Sequence, residues 1–231
     1  MKSLSHFMVI LLLASNVYSQ DKGYIAVSLG PSIPTGDFAS KDMDNNSAGF
    51  AKTGAIFDIS FRYKLKNNFG VTAILRGQAN QLDAQAIADE MSNKFGISGT
   101  VKTNSWGIGG LLVGGYSTIP VAKQLTFESR LMIGFVTASS PDISINFNIM
   151  SESGWVKQNT VTSSAFAYLA GVGLKYDAGK RVCLLANIDY LGAKPKFKDV
   201  ETAFSDGTLE KDTFTQQFGS VNVGVGIGYR L

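Results

Sequence analysis

Residues 221–231 (VNVGVGIGYRL) alternate without a miss. Val221, Val223, Val225, Ile227, Tyr229 and Leu231 fall on one face, and Asn222, Gly224, Gly226, Gly228 and Arg230 on the other. Period-two alternation is the signature of a strand with two unlike faces. A face that is wholly apolar, opposed to one of glycine and arginine, suits a wall between hydrocarbon and a polar interior. The run also has the roughly 9–11 residues that a tilted strand needs to cross a bilayer.

The same pattern recurs upstream. Candidate strands cover residues 23–33, 53–64, 69–79, 103–116, 125–138, 161–176, 182–192 and 221–231, eight in all. In 53–64, Ala55, Phe57, Ile59, Phe61 and Tyr63 oppose Asp58, Ser60, Arg62 and Lys64; in 125–138, Leu125, Phe127, Leu131, Ile133 and Phe135 oppose Glu128, Arg130 and Gly134. The fourth candidate is glycine-rich on both faces; we expect Trp106, Ile108, Leu112 and Tyr116 to point outward. Connections alternate in length. Residues 65–68, 117–124 and 177–181 are short, whereas 34–52, 80–102, 140–160 and 193–217 are long. The reading is an all-β chain forming an eight-stranded antiparallel up-and-down transmembrane β-barrel, with short turns at one end and long loops at the other.

The rival is a soluble eight-stranded barrel with a dry interior. The minority face decides between them. It carries Asp58, Arg62, Arg76, Glu128, Arg130, Asp189 and Arg230, too many charges for an apolar core but suited to a polar lumen in which opposite signs pair. Aromatics gather near the short turns: Tyr63 and Phe69, Tyr116 and Phe127, Tyr176, and Tyr229, as in an interfacial girdle. Glycine, at 25 residues, is costly for a soluble globule but leaves room for large side chains inside a narrow barrel.

Residues 1–20 read as a secretory signal peptide: Lys2, an apolar stretch from Phe7 to Ala14, then small residues Val17 and Ser19 before the expected cut. That leaves residues 21–231 as one barrel domain. No later stretch has 18 consecutive apolar residues, which excludes helical spans. A net charge of +3 gives no reason to expect nucleic acid as a partner.

The opening of the mature chain, GYIAVSLGPSIPTGDF, resembles the first strand and Pro-Thr-Gly-Asp-Phe loop of the outer-membrane β-barrel domain family, the small porin-like barrels similar to OmpA, OmpX and OmpW. Asn222, Gly224, Ile227 and Tyr229 resemble the C-terminal assembly signal of such proteins, although the chain ends in Arg230 and Leu231 where an aromatic residue is usual. The resemblance implies residence in the bacterial outer membrane and insertion by the barrel-assembly machinery, and no particular activity. Outer-membrane lipid and lipopolysaccharide are the expected surroundings, the chain is expected to be a monomer, and an external ligand of the long loops is open.

The chemistry available is narrow. The sole histidine, His6, falls in the signal peptide, so no imidazole base is expected in the mature protein. We therefore expect no enzyme, no cofactor and no metal site. A two-carboxylate site at Asp58 and Glu128 is formally open, but charge pairing explains both residues better. Asp37, Asp42 and Asp44 offer oxygen ligands for calcium without the glycine and terminal glutamate of an EF-hand, so a solvated acidic loop is preferred. Cys183 has no partner for a disulfide. Residues 82–95 place Leu82, Ile87, Met91 and Phe95 near one helical face, either a short helix on the barrel rim or a lid. Eight strands enclose a space that side chains can fill. We thus expect an envelope-structural or surface-interaction protein; the alternative is a narrow pore or a conduit for small hydrophobic molecules, for which apolar inward residues near the outer rim would speak, with Ile74 and Leu185 as candidates.

Overall fold

A computed structural model describes residues 23–149 and 152–231; the expected signal peptide lies outside them. In chain order the elements are β1 (Gly23–Pro34), a 3₁₀ turn (Gly36–Phe38), β2 (Gly54–Lys66), β3 (Phe69–Gln81), α1 (Ala84–Phe95), β4 (Ser98–Thr103), β5 (Ser105–Pro120), β6 (Leu125–Ser139), β7 (Ile143–Ile149), β8 (Glu152–Gln158), β9 (Thr162–Asp177), β10 (Val182–Ala193), β11 (Lys196–Phe204), β12 (Leu209–Thr215) and β13 (Phe218–Arg230). Eight of the strands close into an antiparallel barrel in the order β1-β13-β10-β9-β6-β5-β3-β2. The seam pairs the first strand with the last, Ile25 opposite Tyr229 and Val27 opposite Ile227. No sheet edge is left in the barrel wall, so its backbone groups are satisfied internally, which a bilayer requires.

The outward face is an apolar belt. Ile59, Leu75, Leu131, Ile133, Ile188, Val225 and Ile227 are all exposed, Leu131 by 72%. The inward face buries the charges: Arg62 is 1% exposed and Arg76 2%. This is the reverse of a soluble protein, and it follows from alternation alone, since a one-residue slip would exchange the faces. Aromatics mark both borders of the belt. Tyr63, Phe69, Phe127, Tyr176 and Tyr229 lie toward the short turns, and Phe135, Phe166, Tyr168 and Tyr190 toward the long connections.

Two expectations about facing need correction. In β5, Trp106, Ile108, Leu112 and Tyr116 all point inward and are buried, while Leu111 and Val113 face outward. Tyr116 consequently belongs to the lumen and not to the girdle. Leu185 also points inward, but it clusters with Tyr24, Ala26 and Cys183 in the half nearer the short turns, far from the outer rim.

The long connections are not simple loops. Residues 80–102, 140–160 and 193–217 contain five strands, which form a second sheet in the order β12-β11-β8-β7-β4 at the long-connection end. One side of this sheet is buried against the barrel mouth. Phe197 and Val200 of β11, Val101 of β4, Ile143 of β7 and Phe214 of β12 join a hydrophobic cluster that also contains Trp106, Leu112, Met132, Leu169 and Phe218 of the wall. The barrel and its cap thus share one core.

Helix α1 is part of the cap. Asp83 is its N-cap, its side chain accepting from the Ala86 N–H, and Gly96 closes it in the left-handed region at φ 65. Ile87 is buried, and Leu82, just ahead of the helix, is buried with it. Met91 packs against the same cluster, but Phe95, expected on that face, is exposed. The reason is spacing: position 95 is eight residues beyond 87, which turns it roughly 80° round the helix from Ile87.

Candidate functional site

The lumen is filled in layers. The central layer is built on Arg76 of β3. Its register partner on β2 is Asp58, and the two form a bidentate pair, Nε to Oδ1 at 2.8 Å and Nη2 to Oδ2 at 2.7 Å. The same guanidinium reaches across the lumen to Asp189 of β10, Nη1 to Oδ1 at 2.6 Å and Nη2 to Oδ2 at 3.0 Å. Asp189 in turn accepts from Arg130 Nη2 at 2.7 Å and from Asn222 Nδ2 at 3.1 Å. Two carboxylates and two guanidinium groups make the layer neutral, and each Asp189 oxygen accepts more than one donor. Such saturation is what makes buried charge tolerable.

Glycine makes the crossing possible. Gly171 of β9 stands between Arg130 of β6 and Asp189 of β10 in the ladder. A Cβ there would lie 2.6 Å from Asp189 Cβ and 3.2 Å from Arg130 Nε. Only without that side chain can the arginine pass over β9 to its partner two strands away.

A second layer lies closer to the short turns. Arg62 of β2 pairs with Glu128 of β6 and bonds to the Tyr24 hydroxyl, which itself donates to Glu128 Oε2 at 3.0 Å. The Arg62 guanidinium sits 5.2 Å from the Tyr24 ring centroid and 6.0 Å from that of Tyr116. Below it, a pocket of about 280 Å³ opens toward the short turns, lined by Lys64, Lys175 and Arg230 among others. Arg230 stands apart from the other six singled-out charges. It pairs with Asp177 at the end of β9, because its position on the last strand lies a full layer below Asn222.

Above the central layer come polar amides and then aromatics. Asn80 accepts from Gln78 Nε2 at 2.9 Å and donates to the Ser32 and Lys52 carbonyls. Next, Phe38, Trp106, Phe197, Phe214 and Phe218 pack ring on ring, Phe38 to Phe218 at 4.6 Å and Trp106 to Phe218 at 5.4 Å between centroids. The Trp106 indole N–H donates to the Gly49 carbonyl at 2.9 Å, satisfying the polar atom that an inward tryptophan must place. Phe38, from the GDF turn after β1, is wholly buried and was missed by strand-by-strand reading, since it belongs to no strand.

The acidic first loop serves the cap. Asp42 and Asp44, considered as calcium ligands, both hold Lys94 of α1 at 2.8 Å, and Asp37 accepts from Asn45 Nδ2. These contacts hold Asp42 below the usual carboxylate range and Lys94 above the usual lysine value. Asp83 is also held low, first by the Lys41 ammonium at 2.7 Å and then by the Ala86 N–H, against the opposing effect of its partial burial. Among the described residues no group of three or more His, Cys, Asp or Glu side chains is placed to hold a metal ion. Of the assembly-signal residues, Asn222 and Gly224 face the lumen while Ile227 and Tyr229 face outward.

A closed eight-stranded antiparallel barrel with an apolar belt, aromatic borders and a charged, plugged lumen defines a small outer-membrane β-barrel, with short turns at one end and a cap sheet at the other. No family model matches the sequence, and no curated protein matches it. Solved structures similar to it include the attachment invasion locus protein Ail of Yersinia pestis, at 14% identity over 91% of this chain and 99% of that one, with a TM-score of 0.41. The outer membrane protein OprG of Pseudomonas aeruginosa matches at 10% identity over 91% and 96%, with a TM-score of 0.46. The outer membrane protease OmpT of Escherichia coli matches at 9% identity over 94% and 99%, with a TM-score of 0.38. At these identities the likeness concerns the fold alone.

Proposed function

We propose that this protein is a closed, non-enzymatic, monomeric barrel that serves envelope structure or surface interaction through its extracellular cap, with Asn222, Gly224, Ile227 and Tyr229 guiding its insertion by the barrel-assembly machinery. The observation that carries the reading is the Arg76 guanidinium, which joins Asp58 on one wall to Asp189 on the opposite one and so spans the lumen at that level. The five-stranded sheet then presents a surface to an external ligand. Single-channel recording in a planar bilayer tests it: the refolded wild-type protein is expected to show no conductance, and a steady ionic current would overturn the closed reading.

A second reading has its own support. The lumen beneath the aromatic plug has apolar members, with Ile108, Met132 and Leu169 facing inward, whereas Ile74, two residues nearer the short turns than Arg76, is not at the outer rim. A conduit for small hydrophobic molecules would use that region once the plug moved. Accumulation of an apolar fluorophore in proteoliposomes, above that in protein-free vesicles, would favour the conduit over the closed barrel.

A further inference from the structure

Where β11 leaves the wall, the barrel and the cap enclose a groove of about 950 Å³ on the outer surface. Its cap side is made by strand alternation. Pro195 and Phe197 turn inward and are buried, so Lys194, Lys196 and Lys198 turn outward to the same side. Alternate residues of a strand stand roughly 6.6 Å apart, which sets the spacing of Lys196 and Lys198 along β11, and Lys194 lies just ahead of that strand. None of the three takes part in a salt bridge among the described residues, and the one carboxylate lining the groove is Asp199. Three lysines against one carboxylate therefore give the groove a local excess of positive charge.

Its barrel side is the outward face of β9, where Thr162 and Ser164 give way to Phe166 and Tyr168. These rings belong to the outer aromatic border, Phe166 lying 6.1 Å from Phe135 and Tyr168 6.1 Å from Tyr190. The groove thus straddles the level at which hydrocarbon meets the polar exterior. Its shape is fixed as well: Ser163 Oγ donates to the Lys196 carbonyl at 2.7 Å, tying β11 to β9, and Gly192 lets the Tyr168 ring lie flat on the wall, where a Cβ would come within 2.4 Å of it.

We propose that this groove binds the phosphorylated headgroup of an outer-leaflet glycolipid of the lipopolysaccharide class. The lysines meet the phosphates, the Thr162 and Ser164 hydroxyls meet sugar oxygens, and the acyl chains continue down over Phe166 and Tyr168. The occupant follows from two features together: unpaired cations at the headgroup level, and unbroken continuity with the lipid belt beneath them. A soluble anion would use the first and have no use for the second. The inference rests on the outer-membrane placement of the barrel and is independent of whether the lumen conducts.

The test is binding of purified lipopolysaccharide to refolded protein in detergent, followed by titration calorimetry. The variant is K194Q/K196Q/K198Q; the control K123Q/K180Q removes two lysines from the periplasmic turns. Both remain checkable for folding by their heat-dependent gel shift, and K196Q alone supplies a milder variant. The expected result is at least an about tenfold loss of affinity in the triple variant, a similar loss for wild-type protein when the lipopolysaccharide is enzymatically dephosphorylated, and no loss in the control. Equal affinity of wild type and triple variant would overturn the proposal. So would an equal loss in the control, which would mean general charge attraction, or binding of inorganic phosphate as tight as that of the lipid.

Discussion

Arg76 and Asp189 stand on diametrically opposite strands of the barrel, 113 residues apart in sequence, and meet at 2.6 Å in the middle of the lumen. Tyr24 and Glu128, also on opposite strands, meet in the layer below. The two crossings brace the wall along different diameters. A barrel closed by its seam alone could flatten; one braced twice resists it.

Removing Arg76 leaves Asp58 without a counter-charge, while Asp189 keeps Arg130 at 2.7 Å. Arg76→Ala is expected to cost about 3–5 kcal/mol, the usual penalty for breaking one side of a buried ion network. Thermal unfolding in detergent measures it. Adding Asp58→Asn, which leaves Asp189 and Arg130 as a neutral pair, is expected to restore much of the loss; if the double variant is no better than the single one, charge pairing is not what Arg76 contributes.

Gly171 is expected to tolerate no side chain. Gly171→Val places a branched group on the path of Arg130 to Asp189, where Cβ alone already meets Asp189 at 2.6 Å. Refolding yield and unfolding temperature should both fall, and Gly171→Ala should show a smaller form of the same defect. Unchanged stability in Gly171→Val would mean that Arg130 reaches Asp189 by another route.

The facing of β5 has a direct readout. Val113→Arg, on the belt, is expected to cost about 2–4 kcal/mol if it lies near the midplane, whereas Ser60→Thr, inside, should be nearly neutral. In a Trp155→Phe background, Trp106 emission should not be quenched by brominated acyl chains, because its indole lies in the lumen. Strong quenching would put β5 back in the opposite register.

Acid should loosen the cap before the barrel. The Asp83 carboxyl is held below its ordinary value of 3.8, so the folded state binds its proton less readily than the unfolded chain. Its stabilising contribution is therefore complete above that ordinary value and is lost as pH falls through the lower folded value. Amide protection in α1, corrected for intrinsic exchange, should hold from neutral pH down to about 5 and decline only in stronger acid. Asp83→Asn should fray the helix start at every pH; a wild-type decline beginning near neutrality would exclude Asp83 as the cause.

The barrel was legible because most of its strands contrast their faces. In β2 a run such as Phe57-Asp58-Ile59-Ser60-Phe61-Arg62 assigns lipid and lumen without ambiguity. β5 defeats the same reasoning. Glycine occupies 107, 109, 110, 114 and 115, so its bulky residues are the most visible feature, and bulk was read as lipid-facing when Trp106 and Tyr116 in fact fill the lumen. The cap sheet was hidden for another reason. Its strands are short, and β11 finds β8 through Thr202 and Gln158, partners some forty residues apart, so the pairing leaves no local mark. Among the charges, sign and facing were legible, but the partners were not. Choosing Asp189 for Arg76 requires knowing which strands end up opposite each other.

Strands β3 and β10 face one another across a lumen only when β1 has joined β13; in an unclosed sheet Arg76 can keep Asp58 and Asp189 can keep Arg130, but the pair across the lumen is unmade. Closing the seam joins the two charges. Assembly accordingly has a direction: an incomplete ribbon gains nothing from either crossing, and the finished cylinder gains both at once, so the last strand to arrive is also the one that makes opening again costly.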